Sequence, residues 1–196
     1  WSIRPIYIKN LMAIQGGIKD LVSLGSVNIS SSTADVTFDG IFTDEFAAYK
    51  VYIDNAIPVT AGVRPRIFWR KSGSDTLGSA VHYRARSLYG VGDTVADLYN
   101  PTNTTGFNSF DFNMGNDADD IQFWDITMYP KAAQQANIFA EIAFKDAADG
   151  RYFGHYVSFV ATGDSTIPGD VIDGFRFVYA TGAIATMRMQ VYGKRI

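Results

Sequence analysis

No cysteine occurs in the 196 residues, so no disulfide can staple the chain and no thiolate can ligate a metal or attack a substrate. The redox compartment is left open by the same absence. Histidine is nearly missing: His82 and His155 stand alone, each inside a predicted strand, where a hydrogen-bonded structural role is the simpler reading. Two isolated imidazoles do not supply the closely spaced ligands of a zinc site. Glutamate is scarce too, since all but Glu45 and Glu141 of the 20 acidic residues are aspartate. The basic residues number 17 and the net charge is −3, which argues against bulk nucleic-acid binding. No apolar run approaches the roughly 20 residues of a membrane-spanning helix, so no membrane insertion is expected. Neither a Gly-x-Ser-x-Gly elbow nor a Gly-x-x-x-x-Gly-Lys phosphate loop is present.

What is present is apolar and turn-rich. Hydrophobic residues make up 47 % of the chain and aromatics 14 %, which is globular rather than disordered. Aspartate and the 18 glycines favour turns, while the shortage of glutamate removes a common helix former. The expected fold class is all-β: a two-sheet antiparallel sandwich, jelly-roll-like, built on about eleven strands, with a short N-terminal arm or helix.

Two segments organise the chain. Residues 1–25 form an expected arm, in which Ile8, Leu11, Met12, Ile18, Leu21 and Val22 recur at steps of three and four around Gly16-Gly17. They either pack on their own domain or anchor the chain on a neighbouring subunit. Residues 26–196 form the expected sandwich. Ser26–Ile29, Ala34–Phe38, Tyr49–Asp54, Val63–Arg70 and Ser79–Leu88 are strand candidates, followed by a long surface loop over residues 90–120 held down by Phe107, Phe110 and Phe112. Ile121-Gln122-Phe123 and Trp124–Met128 alternate in opposite phase, which predicts a bulge or a change of sheet at Phe123–Trp124. Ile138, Ala140, Ile142 and Phe144 share one face of the next strand, and Arg151–Val160 is its expected hairpin partner. Phe175, Phe177 and Tyr179, then Ala185, Met187, Met189 and Val191, sit at every second position on either side of Ala180–Ala183. This pattern predicts a closing hairpin.

The sequence offers little chemistry. Aspartates are too numerous for any pair to mark a glycosidase, and Asn116–Asp120 lacks a full calcium-loop signature, so a solvated acidic turn is its simpler reading. Tyr89, Tyr99, Phe107, Trp124 and Tyr129 are candidate sugar-stacking aromatics, against a bland reading as core. One constellation is sharper. If Val63–Arg70 pairs with Ser79–Leu88, then Arg64, Arg66, Arg70, His82, Arg84 and Arg86 line one side. Such a stripe either pairs with Asp-rich loops of the same or a neighbouring subunit, or binds an acidic glycan or partner surface. No catalytic residue, metal or cofactor is expected.

Several stretches carry a resemblance. They are Ile14–Val22, Val36–Phe42, Tyr49–Ile53 with Pro58–Gly62, Ile172–Phe177, Gly182–Ala185 and Val191–Gly193. The pattern resembles a family of bacteriophage virion appendage proteins, of tail-fibre, receptor-binding or head-decoration type. This resemblance implies a non-enzymatic jelly-roll module located on the virion, assembled as a homo-oligomer, with a trimer favoured. Its partners would be other virion proteins and host-surface polysaccharide. Two alternatives stay open: a capsid decoration or head-fibre protein of the same fold, and a carbohydrate-active enzyme on a concanavalin-like sandwich.

Overall fold

The computed structural model describes residues 20–76, 81–89, 95–100, 114–117, 122–130, 137–145, 152–161 and 172–195. Among them every regular element is a strand, twelve in all. Eight form one antiparallel sheet in the order β1 (Leu21–Ile29), β12 (Ile184–Arg195), β3 (Phe46–Pro58), β8 (Phe123–Tyr129), β9 (Asn137–Lys145), β10 (Tyr152–Ala161), β6 (Val81–Tyr89), β7 (Val95–Asn100). Four form the second, in the order β2 (Asp35–Phe38), β11 (Gly174–Tyr179), β4 (Pro65–Lys71), β5 (Ser74–Thr76). The all-β sandwich expected from composition and alternation is what the chain builds.

Alternation explains how each strand contributes. In β9, Ile138, Ala140, Ile142 and Phe144 are buried while Phe139, Glu141 and Ala143 are exposed, as the period of two requires. In β4, Pro65, Ile67 and Trp69 face inward; in β11, Phe175, Phe177 and Tyr179 do. Rings tie the two layers together. Trp124 of β8 meets Phe177 of β11 edge-on at 5.6 Å. Phe42, between β2 and β3, meets Tyr49 at 4.5 Å, Trp69 at 5.9 Å and Phe175 at 6.1 Å, so it plugs one end of the sandwich. There the Tyr49 hydroxyl accepts the Thr43 N–H at 2.6 Å and donates to the Thr43 carbonyl at 3.0 Å. Gly174 marks a close approach between β11 and β2 in the smaller sheet: a Cβ there would stand 2.0 Å from the Phe38 carbonyl oxygen.

Several expectations are corrected. The two C-terminal strands do not form a hairpin, because β11 pairs with β2 and β4 while β12 pairs with β1 and β3 in the other sheet. The Ala180–Ala183 link is a crossing between layers, fixed by Ala180 N–H donating to the Arg64 carbonyl at 2.7 Å and Val59 N–H to the Ala183 carbonyl at 2.8 Å. Each strand buries one face in the same core, and alternation reads identically from either layer. Within β12 the register shifts between Ile184 and Arg188, so Ile184 and Met187 are both buried although they are three residues apart.

Residues 21–25 of the expected arm segment lie in β1. Leu21 and Val22 belong to β1, paired with Lys194 and Gly193 of β12. Ile8, Leu11, Met12 and Ile18 lie outside the described residues. No register shift occurs at Phe123–Trp124: β8 pairs regularly with β3 and β9, with Gln122 buried and Phe123 exposed. The apparent phase change came from reading Phe123 as inward. The span 90–120 contains strand β7, while Phe107, Phe110 and Phe112 lie outside the described residues. Of the expected partner Arg151–Val160, Tyr152–Val160 does run beside Asn137–Lys145, as the β9–β10 pair, and Arg151 lies outside the described residues.

Candidate functional site

The outward face of the larger sheet is the most distinctive surface among the described residues. Strand pairing aligns Tyr192, Lys50, Thr127 and Phe139 in one row across β12, β3, β8 and β9. The next row is Gln190, Tyr52, Asp125 and Glu141, and the third is Arg188, Asp54, Phe123 and Ala143. Among the described residues, three of the four exposed large hydrophobic ones sit here: Phe123 at 46 %, Phe139 at 42 % and Tyr129 at 37 % exposure. Tyr129 and Phe139 meet edge-on at 5.9 Å, and Tyr52 meets Tyr192 at 6.0 Å in the same manner.

Four of the charges on this face form two ion pairs. Lys50 Nζ lies 2.6 Å from Asp125 Oδ1 and 6.0 Å from the centre of the Tyr52 ring. Arg188 Nη2 stands 3.8 Å from Asp54 Oδ2. The result is a sheet face on which exposed aromatics are interspersed with ion pairs, a composition that suits contact with another macromolecule.

The arginine stripe is divided. Strand β4 pairs with β5 and β11, whereas β6 lies between β10 and β7 in the other sheet. Arg64, Arg66 and Arg70 therefore do not join His82, Arg84 and Arg86 in one strand pair, and the expected single face is corrected. The expectation failed because strong alternation in both segments fixes which residues share a side, not which strands are neighbours.

Within the smaller sheet Arg70 is fully committed. Its Nε donates to Asp39 Oδ1 at 2.6 Å and its Nη1 to Asp75 Oδ1 at 2.7 Å. Its Nη2 donates to Asp39 Oδ2 at 3.1 Å and also to the Gly73 carbonyl. The hydrogen bond from Arg70 holds the Asp39 carboxyl below its ordinary pKa, and the same partner raises that of Arg70. Asp75 also accepts from Arg176, which reaches Asp35 Oδ2 at 3.5 Å. Alternating charges thus staple β2, β11, β4 and β5 across their outer face. Arg70 serves this staple.

Trp124 is fully buried against Phe177, so it is core rather than a sugar platform; Tyr129 alone of the five candidate aromatics is placed on the surface among the described side chains. Strands β6 and β10 carry His82 and His155, as expected. Among the described residues no group of three His, Cys, Asp or Glu side chains is gathered to hold a metal ion. Asn116 donates to the Val59 carbonyl at 3.3 Å, while residues 118–120 of the acidic turn lie outside the described residues. Sequence reasoning missed Phe123, Phe139, Tyr52 and Tyr192 as a surface. The available signal was that β8 and β9 carry large apolar residues on both faces, more than one core can take. Comparisons with protein-family models, with curated proteins and with solved structures each return no match.

Proposed function

We propose that the chain is a non-enzymatic assembly module of a bacteriophage particle, a tail-fibre or tail-tip appendage protein that meets neighbouring virion proteins. Its sandwich is wound as a jelly roll in this reading. Support comes from two sides: the resemblance carried by Val36–Phe42, Ile172–Phe177 and Val191–Gly193, and the exposed aromatic face of the larger sheet. The face carries the proposal. Phe123 and Phe139 exposed on a flat strand surface cost solubility, which is offset when a partner buries them, and Phe is typical of protein interface centres. Lys50–Asp125 and Arg188–Asp54, already paired, lie among these aromatics and ask little further compensation on contact.

The test is a Phe123→Ser, Phe139→Ser variant supplied to particles lacking the native chain. Surface changes of this kind alter stability by about 0.5 kcal/mol or less, so the variant is expected to fold. It is expected to be absent from purified particles. Incorporation at the level of the native chain would remove the assembly reading. Normal incorporation with lost adsorption to cells would assign the face to host polysaccharide instead.

A further inference from the structure

Arginine is seldom taken out of water without a counterion, because desolvating the guanidinium costs more than packing its stem returns. Three partly buried arginines lie on the outer face of the smaller sheet: Arg66, Arg70 and Arg176. Arg70 and Arg176 are neutralised by Asp39, Asp75 and Asp35. Arg66 is different. Its Nε is buried and has no hydrogen-bond partner, and among the described residues no carboxylate pairs with its guanidinium. Asp35 is the acid nearest by register, aligned with Arg66 through Val178, and its Oδ2 is turned to Arg176.

We propose that Arg66 is a recognition residue that receives the carboxylate of an Asp or Glu side chain from a partner polypeptide. The fold has already removed the guanidinium in part from water, so an arriving carboxylate gains a charge-assisted bond at a reduced desolvation cost. Its planar fork matches a carboxylate in two-point contact. A polypeptide acid fits better than an acidic sugar for two reasons. The neighbouring aromatic on this face, Phe68, is covered on one side by the Arg176 guanidinium, 4.9 Å from the ring centre, which removes a stacking surface for a pyranose. A guanidinium whose Nε is buried in the sheet is also reached more readily by a carboxylate on a flexible stem than by one fixed to a sugar ring. This site lies on the opposite sheet from the aromatic face, so the two readings stand or fall separately.

Binding of a labelled, unstructured Glu-rich peptide to the full chain tests the inference, with a Gln-for-Glu peptide and an oligogalacturonate as comparison ligands. Thermal unfolding of each variant is measured beside it. Arg66→Met is expected to weaken the Glu-rich peptide by about tenfold or more, the size of a lost charged hydrogen bond, while the melting temperature stays level or rises. Arg66→Lys is expected to retain part of the binding, since it keeps the charge without the fork. Added salt should weaken the native complex. Equal peptide binding by Arg66→Met would overturn the proposal. So would tighter binding of oligogalacturonate than of the peptide, or a loss of stability in Arg66→Met as large as that in Arg70→Met.

Discussion

Tyr179 illustrates how a single side chain reports on its layer. It is 2 % exposed, its ring meets Phe177 edge-on at 5.6 Å, and its hydroxyl donates to the Ala56 carbonyl of β3 across the core. Burial raises its pKa well above the ordinary value near 10. The phenol is neutral in both folded and unfolded chains below that value, so its contribution is fully present there. Above about pH 10 the unfolded chain ionises while the folded one resists, and stability is lost as pH climbs toward the raised folded value. Tyr179→Phe is therefore expected to cost about 1–2 kcal/mol at neutral pH, by leaving the Ala56 carbonyl unsatisfied. It should also flatten the alkaline fall in stability; urea unfolding from pH 7 to 11 measures both effects. An alkaline slope unchanged in the variant would show that another group governs it. At this scale the sequence was legible for Tyr179 as core, because its alternation with Phe175 and Phe177 is regular. It was not legible for Arg66 and Arg70, which differ only in the acids that distant strands bring beside them.

Strands were easier to find than their neighbours. The segments β3, β9 and β11 could be read from the period of two, yet β11 and β12 enter different sheets although only Ala180–Ala183 separates them. A four-residue link with Gly182 at φ 82° serves a hairpin or a crossing equally well. The outcome was decided by distant partners: Ile184 pairs by its backbone with Thr33, at 2.8 and 3.0 Å, and β12 lies between β1 and β3. The N-terminal boundary moves for the same reason. Leu21–Gly25 look like part of an apolar arm, yet they complete β1 on the edge of the larger sheet. Deleting residues 1–19 keeps all of β1 and serves as the reference truncation. Deleting residues 1–25 removes the first half of β1, leaves part of the β12 edge unpaired and exposes apolar side chains packed near Val22 and Leu24. Several degrees of lost melting temperature and a tendency to associate are expected from it. Equal behaviour of the two truncations would place β1 outside the cooperative fold.

As a whole molecule the sandwich behaves as one core with two dissimilar outer surfaces. Trp124, Phe177, Phe42 and Tyr49 bridge the layers, so neither sheet can be loosened without uncovering the other. Phe177→Ala is expected to destabilise by about 3–5 kcal/mol, as large cavities in packed cores do. Tryptophan fluorescence and far-ultraviolet circular dichroism should still report one transition, because Trp124 in one sheet and Trp69 in the other both lose their surroundings together. Two separated transitions would mean that the layers fold independently. The outer surfaces differ in composition: exposed aromatics among ion pairs on the larger sheet, and an arginine–aspartate staple with Arg66 beside it on the smaller.

The sequence by itself determined the fold class and the inward side of most strands. A period of two is a local property, imposed by backbone geometry on every extended segment, and β-branched and aromatic residues fill those segments well. It did not determine which strands became neighbours, which layer each joined, or which large rings were left outside. Those choices depend on contacts between residues far apart in the chain. Phe123 and Trp124 show the limit: similar in hydrophobicity and adjacent in sequence, they point to opposite sides of β8, one into the core and one to the surface. Pairing of β8 with β3 and β9, over the core that Phe177 fills from the other layer, made that decision.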